Sequence, residues 1–294
     1  MRRRKHRYRT GLIAVVAVVV LAALAAGTFL VKRYAPSKEW MDGYKYFEVD
    51  SNTDKTLVII DNKCYSDIGV MRDDVLYLPV DFVADYINVR FYYDKESNAV
   101  LYTDDRRTYT YEPDSTGYKD SDGNTYDSEY KIACEIDGTM YIAFQYVADY
   151  TNCTYAYGSK PSRLSVNMIN GEVSRVTAKN DMYIRYRGGV KSDILEQINK
   201  GDNVYYVESF DDWIKVISAT GYTGYVKSSD VSEVYTEVPD NTYESEYAGL
   251  SISQKVKLGW FQVAGTAGND NYTQLTGLSN INVIAPTLHQ KTAV

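Results

Sequence analysis

Histidine and cysteine, the residue types that most often bind metals or carry covalent catalysis, are scarce in this sequence. The only histidines are His6 and His289, and neither has a second histidine beside it. Copper sites and zinc-histidine sites combine several such ligands, so they are excluded and no metal or cofactor is expected. No Ser-His-Asp or Cys-His set can be assembled. The sequence therefore offers no catalytic residue.

The three cysteines, Cys64, Cys134 and Cys153, are an odd number and show no C-x-x-C spacing. This pattern is not typical of a disulfide framework or a metal site, and at most one pair can form.

One acidic loop has the partial spacing of a calcium site. Residues 118–129 match an EF-hand loop at four positions, namely Asp120, Asp122, Gly123 and Glu129. The first position is Tyr118 instead of a carboxylate, and no helix pattern flanks the loop. The alternative is a β-hairpin whose turn uses Asp122-Gly123 and whose strands pair Tyr118 with Tyr126. The sequence favours the hairpin.

The charge is distributed unevenly along the chain. The net charge is −7, but eight of the 32 basic residues precede residue 34, whereas the first of the 39 acidic residues is Glu39. The chain beyond Arg33 therefore carries 24 bases against 39 acids, about −15. This argues against nucleic acid or anionic lipid as the partner of the main body. The 30 tyrosines favour a body rich in strands.

An uncharged apolar run at residues 11–31 is long enough for one transmembrane helix. The basic tail at residues 1–10 predicts a cytoplasmic N-terminus, with a linker at 32–43 leading to an extracytoplasmic body. The alternative is a cleaved signal peptide, since Ala23-Leu24-Ala25 has the small-x-small form and would leave a secreted protein.

An internal repeat at an offset of 64 residues organises the middle of the chain. It aligns residues 76–93 with residues 140–157, and both copies contain Val-Ala-Asp-Tyr-x-Asn. The apolar spacing from Val80 predicts a short helix in each copy. The alternation of Val89 with Phe91, and of Cys153 with Tyr155, then predicts a strand. Each copy is predicted as strand, helix, strand. Cys153 is expected to be a small buried hydrophobe, with a disulfide or a reactive thiol as the alternative.

This order of elements, with a further strand at residues 57–60, resembles the copper amine oxidase N-terminal-like domain of exported bacterial proteins. The resemblance covers residues 44–170. That domain carries neither copper nor a redox tyrosine, so the resemblance implies an α+β module for structure or surface display, without a reaction.

Short strand-like runs separated by turns follow at residues 173–235 and predict a small β-barrel. Residues 171–235 resemble a bacterial SH3 domain through Ile184-Arg185, Gly188, Lys200-Gly201-Asp202, Trp213 and Gly224-Tyr225-Val226. The resemblance implies peptidoglycan binding in a groove that needs exposed rings and carboxylates. The candidate ligand-binding residues are Tyr183, Tyr186, Tyr205, Asp211, Asp212 and Tyr222, with ordinary sheet surface as the alternative. Trp213 is expected to pack in the barrel core.

The last part of the chain changes pattern again. After an acidic linker at residues 236–253, strands at 255–263 and 281–286 with a helix at 272–278 predict one βαβ unit. Leu258-Gly-Trp-Phe-Gln-Val263 and Asn282-Val-Ile-Ala-Pro-Thr287 resemble the first strands of a glycoside hydrolase family 18 barrel. A (β/α)₈ barrel needs about 250 residues, so residues 254–294 are expected to be its truncated start. The catalytic motif of that family, D-x-x-D-x-D-x-E, does not occur in the sequence.

The sequence thus predicts a multidomain chain: a transmembrane helix, an α+β repeat domain, an all-β SH3-like barrel and an incomplete (β/α)₈ barrel. The expected function is binding of cell-wall peptidoglycan or a related glycan by a membrane-anchored, extracytoplasmic protein. The alternative is hydrolysis of an N-acetyl-glycan by the full-length protein.

Overall fold

The computed structural model describes residues 2–104, 107–239, 243, 257–263 and 283–288 of the chain. Strands hold 45% of the residues and helices 17%, so the prediction of a strand-rich body is confirmed. The chain divides into two compact units, Met1–Glu244 and Ser245–Val294.

The first unit begins with the long helix α1 (Arg2–Tyr34), which includes most of the predicted basic tail. Residues Val16–Tyr34 have a mean hydropathy of 1.9, and none of this window is buried in the protein. The helix is therefore long and apolar enough to cross a membrane. A membrane anchor and a signal sequence both fit this observation.

The next elements, up to residue 168, are three short helices and the strands of two sheets. They are α2 (Gly43–Phe47), β1 (Thr56–Ile60), β2 (Lys63–Arg72), β3 (Val75–Pro79), α3 (Val80–Tyr86), β4 (Phe91–Asp94), β5 (Ala99–Thr103), β6 (Thr108–Tyr111), β7 (Gly117–Asp120), β8 (Thr125–Asp127), β9 (Ala133–Ile136), β10 (Thr139–Ala143), α4 (Phe144–Asp149), β11 (Cys153–Gly158) and β12 (Arg163–Met168). The first sheet has the order β11-β12-β1-β2-β3-β10-β9, and the tyrosine-rich sheet has the order β4-β5-β6-β7-β8.

The two repeat copies are related by a local two-fold arrangement. Strands β3 and β10 are antiparallel, and Leu78 pairs with Ile142, its own equivalent 64 residues later. Two register pairs of the first copy also recur at the same offset: Val70 with Tyr77 as Cys134 with Tyr141, and Phe91 with Tyr102 as Tyr155 with Val166. Each copy is therefore hairpin, helix, hairpin, which extends the repeat at both ends beyond the residues that the sequence aligned.

The predicted strand, helix, strand order is confirmed in both copies, but the start of the first closing strand is not. Val89 lies in the turn before β4 and is 78% exposed, so the prediction that it belongs to the strand is wrong. Cys153, its repeat equivalent, does pack against the core of the first sheet as a half-buried residue. Burial raises the pKa of the Cys153 thiol to about 11. All three cysteines are free thiols.

Residues 173–237 form a further seven-stranded sheet, which is separate from the tyrosine-rich sheet and is called the second sheet below. Its strands are β13 (Val173–Thr177), β14 (Met182–Arg185), β15 (Ile194–Ile198), β16 (Asn203–Phe210), β17 (Trp213–Ile217), β18 (Thr223–Lys227) and β19 (Tyr235–Glu237), in the order β15-β14-β18-β17-β16-β13-β19. Ile214 and Val216 point into its core because side chains alternate along β17. Trp213 has the opposite parity, is half-buried and lies against Gly188. The prediction that Trp213 packs in the core is therefore wrong.

The residues predicted as a linker after α1 contact the edge of the second sheet through main-chain hydrogen bonds. Ile194 in β15 donates to the Glu39 carbonyl oxygen at 2.8 Å, and Met41 donates to the Ile194 carbonyl oxygen at 2.8 Å. Ser37 donates to Val190 at 2.7 Å in the same way. The second sheet is thus attached only a few residues from the end of the apolar helix, although the repeat lies between them in sequence.

The second unit contains two described strands, β20 (Leu258–Val263) and β21 (Val283–Leu288). They pair in parallel, with Leu258 opposite Val283. The helix predicted at 272–278 and most of the acidic linker predicted at 236–253 lie outside the described residues.

Candidate functional site

A cavity of about 580 Å³ lies inside the first unit, where three segments meet. Residues 40–44, before and at the start of α2, form one wall. The hairpin of β11 and β12 forms the second wall, and residues of the second sheet at 195–197 and 220–222 form the third. Its volume is within the range of about 300–1,000 Å³ that is typical of ligand sites.

The central charged residue is Arg163, at the start of β12, which is only 3% exposed. Its Nε donates to the Thr220 carbonyl oxygen at 2.7 Å, and its Nη1 donates to Ser159 and Pro161 carbonyl oxygens at 2.9 and 3.3 Å. The guanidinium lies over the Tyr222 ring, 4.5 Å from its centroid. Burial lowers the pKa of Arg163, and the nearby Tyr222 and Glu196 act in the opposite direction.

Arg163 is linked to a carboxylate through Thr220. The Thr220 hydroxyl oxygen accepts a hydrogen bond from Arg163 Nη2 at 2.9 Å and donates to Glu196 Oε1 at 2.8 Å. The other oxygen, Glu196 Oε2, is buried and has no hydrogen-bond partner within the part of the chain that the structure describes. Buried polar atoms are nearly always paired in native proteins, so this oxygen marks a position for a hydrogen-bond donor.

Aromatic rings surround this polar floor. Trp40 is 57% exposed and Tyr157 is 52% exposed, and both line the cavity. Tyr183 meets Trp40 edge-to-face at 6.0 Å between ring centroids. Exposed rings beside a polar floor suit a ligand with both apolar faces and polar groups.

Close backbone packing holds the walls together. A Cβ on Gly43 would overlap the Lys160 carbonyl oxygen and lie 2.8 Å from the Tyr222 hydroxyl. The Tyr46 hydroxyl donates to the Thr223 carbonyl oxygen and accepts from the Thr223 N–H, both at 2.9 Å. Helix α2, the β11–β12 hairpin and the second sheet are therefore fixed to one another at the cavity.

The structure distributes the six predicted ligand-binding residues over four places. Tyr222 lines the cavity and is buried, and Tyr183 reaches its rim through Trp40. Tyr186 is exposed, meets the Tyr46 ring at 6.1 Å between ring centroids, and does not line the cavity.

Tyr205 lines a second cavity of about 320 Å³, where its hydroxyl lies 3.3 Å from that of Thr154. Asp211 and Asp212 are exposed in the turn between β16 and β17. The predicted pairing of these two carboxylates with the tyrosines in one groove has no counterpart in the cavity, which is lined by the carboxylate residues Asp42 and Glu196.

Five residues of the cavity were not predicted from the sequence: Trp40, Tyr157, Arg163, Glu196 and Thr220. Strand β15, which carries Glu196, was not predicted because ILEQI does not alternate cleanly between apolar and polar residues. A signal did exist for Arg163. At the repeat offset of 64 residues, Arg163 is equivalent to Ala99 of the first copy. An arginine at a position that holds a buried alanine in the other copy indicates a special role.

The acidic loop at residues 118–129 is the predicted hairpin. Tyr118 and Tyr126 pair across β7 and β8 with their rings stacked at 5.0 Å, and Gly123 has a φ of 87°. The Asp120 carboxylate accepts hydrogen bonds from the backbone N–H groups of Asp122 and Asn124, the Asn124 amide and the Tyr126 hydroxyl, at 2.8–3.0 Å. These donors already occupy its oxygens, and no group of metal-binding side chains occurs among the described residues.

Comparisons of this chain with protein-family models, with curated proteins and with solved structures found no match. The chemistry of the cavity is therefore inferred from its own side chains.

Proposed function

We propose that this protein is anchored in the cell membrane by α1 and binds cell-wall peptidoglycan or a related glycan outside the cytoplasm. The basic residues before the apolar run favour a cytoplasmic N-terminus. If α1 is instead a cleaved signal peptide, the same binding protein is secreted. The resemblances to a copper amine oxidase N-terminal-like domain and to a bacterial SH3 domain agree with an exported protein of this kind.

The observation that carries this proposal is the cavity with exposed rings at its rim and linked charges in its floor. Sugar rings and short peptides present apolar faces beside hydroxyl, amide and charged groups. Trp40 and Tyr157 offer surfaces for the apolar faces, while the Arg163–Thr220–Glu196 chain lies below them for the polar groups. The acidic body does not suit nucleic acid.

The distance of the cavity from the end of α1 supports a ligand near the membrane. Trp40 follows the last helical residue, Tyr34, by six positions, and a fully extended chain spans about 3.3–3.6 Å per residue. Trp40 therefore lies within about 20 Å of the end of the helix. We expect the protein to contact the part of the wall closest to the membrane.

Sedimentation of the detergent-solubilised full chain with purified peptidoglycan tests this function. We expect Tyr157→Ala to weaken binding roughly tenfold, because an exposed ring that stacks on a ligand contributes on the order of 1–2 kcal/mol. Tyr92→Ala is the matched control, since Tyr92 is 41% exposed on β4 and does not line the cavity. Equal sedimentation of all three proteins, or an equal loss in both variants, would contradict the proposal.

A second candidate is an N-acetyl-glycan hydrolase of the family 18 type. The parallel pairing of β20 and β21 favours it, because adjacent strands of a (β/α)₈ barrel are parallel. The family's catalytic motif does not occur in these residues, so we expect no release of reducing sugar by this chain. Turnover of peptidoglycan or chitin oligomers would favour the hydrolase over the binding protein.

A further inference from the structure

We infer that the cavity binds a protonated primary amine, with the Glu196 carboxylate as its counter-ion and the Trp40 and Tyr157 rings as its walls. The inference rests on the proposed function for the source of the amine, a peptide side chain of the cell wall. The recognition of the amine itself rests on the geometry of the cavity.

One oxygen of the Glu196 carboxylate is a hydrogen-bond acceptor that lacks a donor among the described residues. Glu196 Oε1 already accepts from Thr220, whereas Oε2 is buried without a partner among the described residues. A buried carboxylate oxygen without a donor is costly, and a charged donor forms stronger hydrogen bonds with it than a neutral one. An ammonium group has three N–H donors and no acceptor, so it matches this oxygen in both hydrogen bonding and charge.

The buried cation of the cavity, Arg163, is not available to an anionic ligand. Arg163 directs four hydrogen bonds to protein oxygens, and its guanidinium faces the rings of Tyr222 and Phe47 at 4.5 and 5.2 Å from their centroids. Its charge is thus committed to the protein. Lys160 also lines the cavity, but it is exposed, so solvent screens its charge.

The exposed rings of Trp40 and Tyr157 at the cavity opening also suit a cation. The faces of aromatic rings attract cations, and tryptophan does so most strongly. Trp40 is fixed beside the opening because its neighbours Glu39 and Met41 are hydrogen-bonded to Ile194 of β15. Glu196 lies two residues further along β15. Strand β15 thus positions both the exposed Trp40 ring and the half-buried Glu196 carboxylate.

The inference is tested with soluble probes first. Binding of Nα-acetyl-lysine amide and Nα,Nε-diacetyl-lysine amide to the full chain in detergent is measured by isothermal titration calorimetry. We expect the free amine to bind at least tenfold more tightly than the acetylated compound, because acetylation removes the charge and two of the donors. Equal affinities would overturn the inference.

A pair of variants locates the site. Glu196→Gln has the same shape and keeps an oxygen for Thr220, so the fold is retained, and we expect a loss of amine affinity of at least tenfold. Glu208→Gln is the control, because Glu208 is an exposed residue of β16 that pairs with Lys215 at 3.4 Å, away from the cavity. An unchanged affinity in Glu196→Gln, with an unchanged melting temperature, would overturn the assignment.

Peptidoglycan with and without chemical acetylation of its free amines separates this inference from the proposed function. Sedimentation with the native polymer and at least tenfold weaker sedimentation with the acetylated polymer would support both. Equal sedimentation with the two polymers would overturn the amine inference and leave wall binding intact. Binding of the soluble amine without sedimentation of either polymer would support the cavity and overturn the wall as its source.

Discussion

The two copies of the repeat have the same backbone plan but different surroundings at their closing hairpins. In the first copy β5 begins with Ala99, which is buried. In the second copy the equivalent position, at the start of β12, is Arg163, and its guanidinium is bonded to the second sheet through Thr220. A single change from alanine to arginine thus accompanies the conversion of a purely structural hairpin into one wall of a cavity.

The aromatic residues of the two copies differ in the same way. Phe91 in the first copy is fully buried, whereas its equivalent Tyr155 is 42% exposed. The first copy continues into the tyrosine-rich sheet, and the hydroxyl of Tyr111 in this sheet lies 2.9 Å from that of Tyr146 in α4 of the second copy. Burial raises the pKa of both phenols, so they are neutral hydrogen-bonding groups. The difference between the copies therefore lies in their closing hairpins, where Phe91 is buried but Tyr155 and Tyr157 are exposed, and Tyr157 lines the cavity.

The largest expected effect comes from making the second copy resemble the first at this position. Arg163→Ala leaves the carbonyl oxygens of Thr220, Ser159 and Pro161 without their donor and leaves the Glu196 carboxylate without its linked cation. Breaking a buried charge network of this kind costs about 3–5 kcal/mol in the free energy of unfolding. Urea unfolding followed by tryptophan fluorescence measures the loss.

Arg175→Ala is the matched control for this variant. Arg175 also stacks on a tyrosine, Tyr205 at 4.4 Å, and pairs with Glu237 at 2.8 Å, but the Glu237 side chain is 37% exposed. A pair open to solvent contributes about 1 kcal/mol or less. Similar losses in the two variants would show that Arg163 has no special role in joining the second copy to the second sheet.

The elements that the two repeat copies share were predicted from the sequence, whereas the cavity residues that distinguish the second copy were not. The helix of each copy, its closing strand and the Asp122-Gly123 turn follow from local periodicity and turn chemistry, and they are confirmed except for the start of the first closing strand at Val89. The site depends on residues brought together from positions 40, 163, 196 and 220. Only tertiary pairing joins these segments, and no local pattern records it.

Trp213 shows the same limit in a single strand. Its size and apolar character favoured the core, but the parity of β17 was decided by Ile214 and Val216, which fill the interior of the second sheet. A shift of one residue along a strand reverses every side chain. Composition alone could not determine which face Trp213 occupies.

A medium effect is expected from Asp120, which organises the strands that only the first copy possesses. The Asn124 amide first, with backbone N–H groups and the Tyr126 hydroxyl, lowers the pKa of Asp120 to about 2. Because the folded pKa lies below the ordinary value of 3.8, Asp120 contributes stability above about pH 4 and this contribution is lost as the pH falls towards 2. Asp120→Asn places an NH₂ group against these donors and removes the acid-dependent loss.

Amide hydrogen exchange between pH 2 and pH 7 measures this effect by segment. We expect Asp120→Asn to speed exchange in β6–β8 at pH 7 and to leave β9–β12 unchanged, because the second copy has no such extension. Asp122→Asn is the control, since the Asp122 side chain is 58% exposed and pairs with the side chain of Arg107. Equal acceleration in both copies would show that the extension is not an independent addition to the repeat.

The smallest expected effect concerns the turns that open the two copies, and it tests whether their equivalence extends to backbone energetics. The turn Asp73-Asp74 has φ values of 48° and 62°, and the equivalent turn Asp137-Gly138 has 50° and 76°. Left-handed backbone costs a residue with a side chain roughly 1–2 kcal/mol, partly offset by the greater entropy that glycine loses on folding. Asp74→Gly should therefore stabilise the β2–β3 hairpin by about 0.5–1 kcal/mol, and Gly138→Asp should destabilise the β9–β10 hairpin by a similar amount.

A side chain at Gly138 meets no atom within 4 Å, so the effect there is conformational and not steric. Exchange of the amides in each hairpin reports the two changes separately, and changes of the same sign in both variants would show that the two turns are not equivalent.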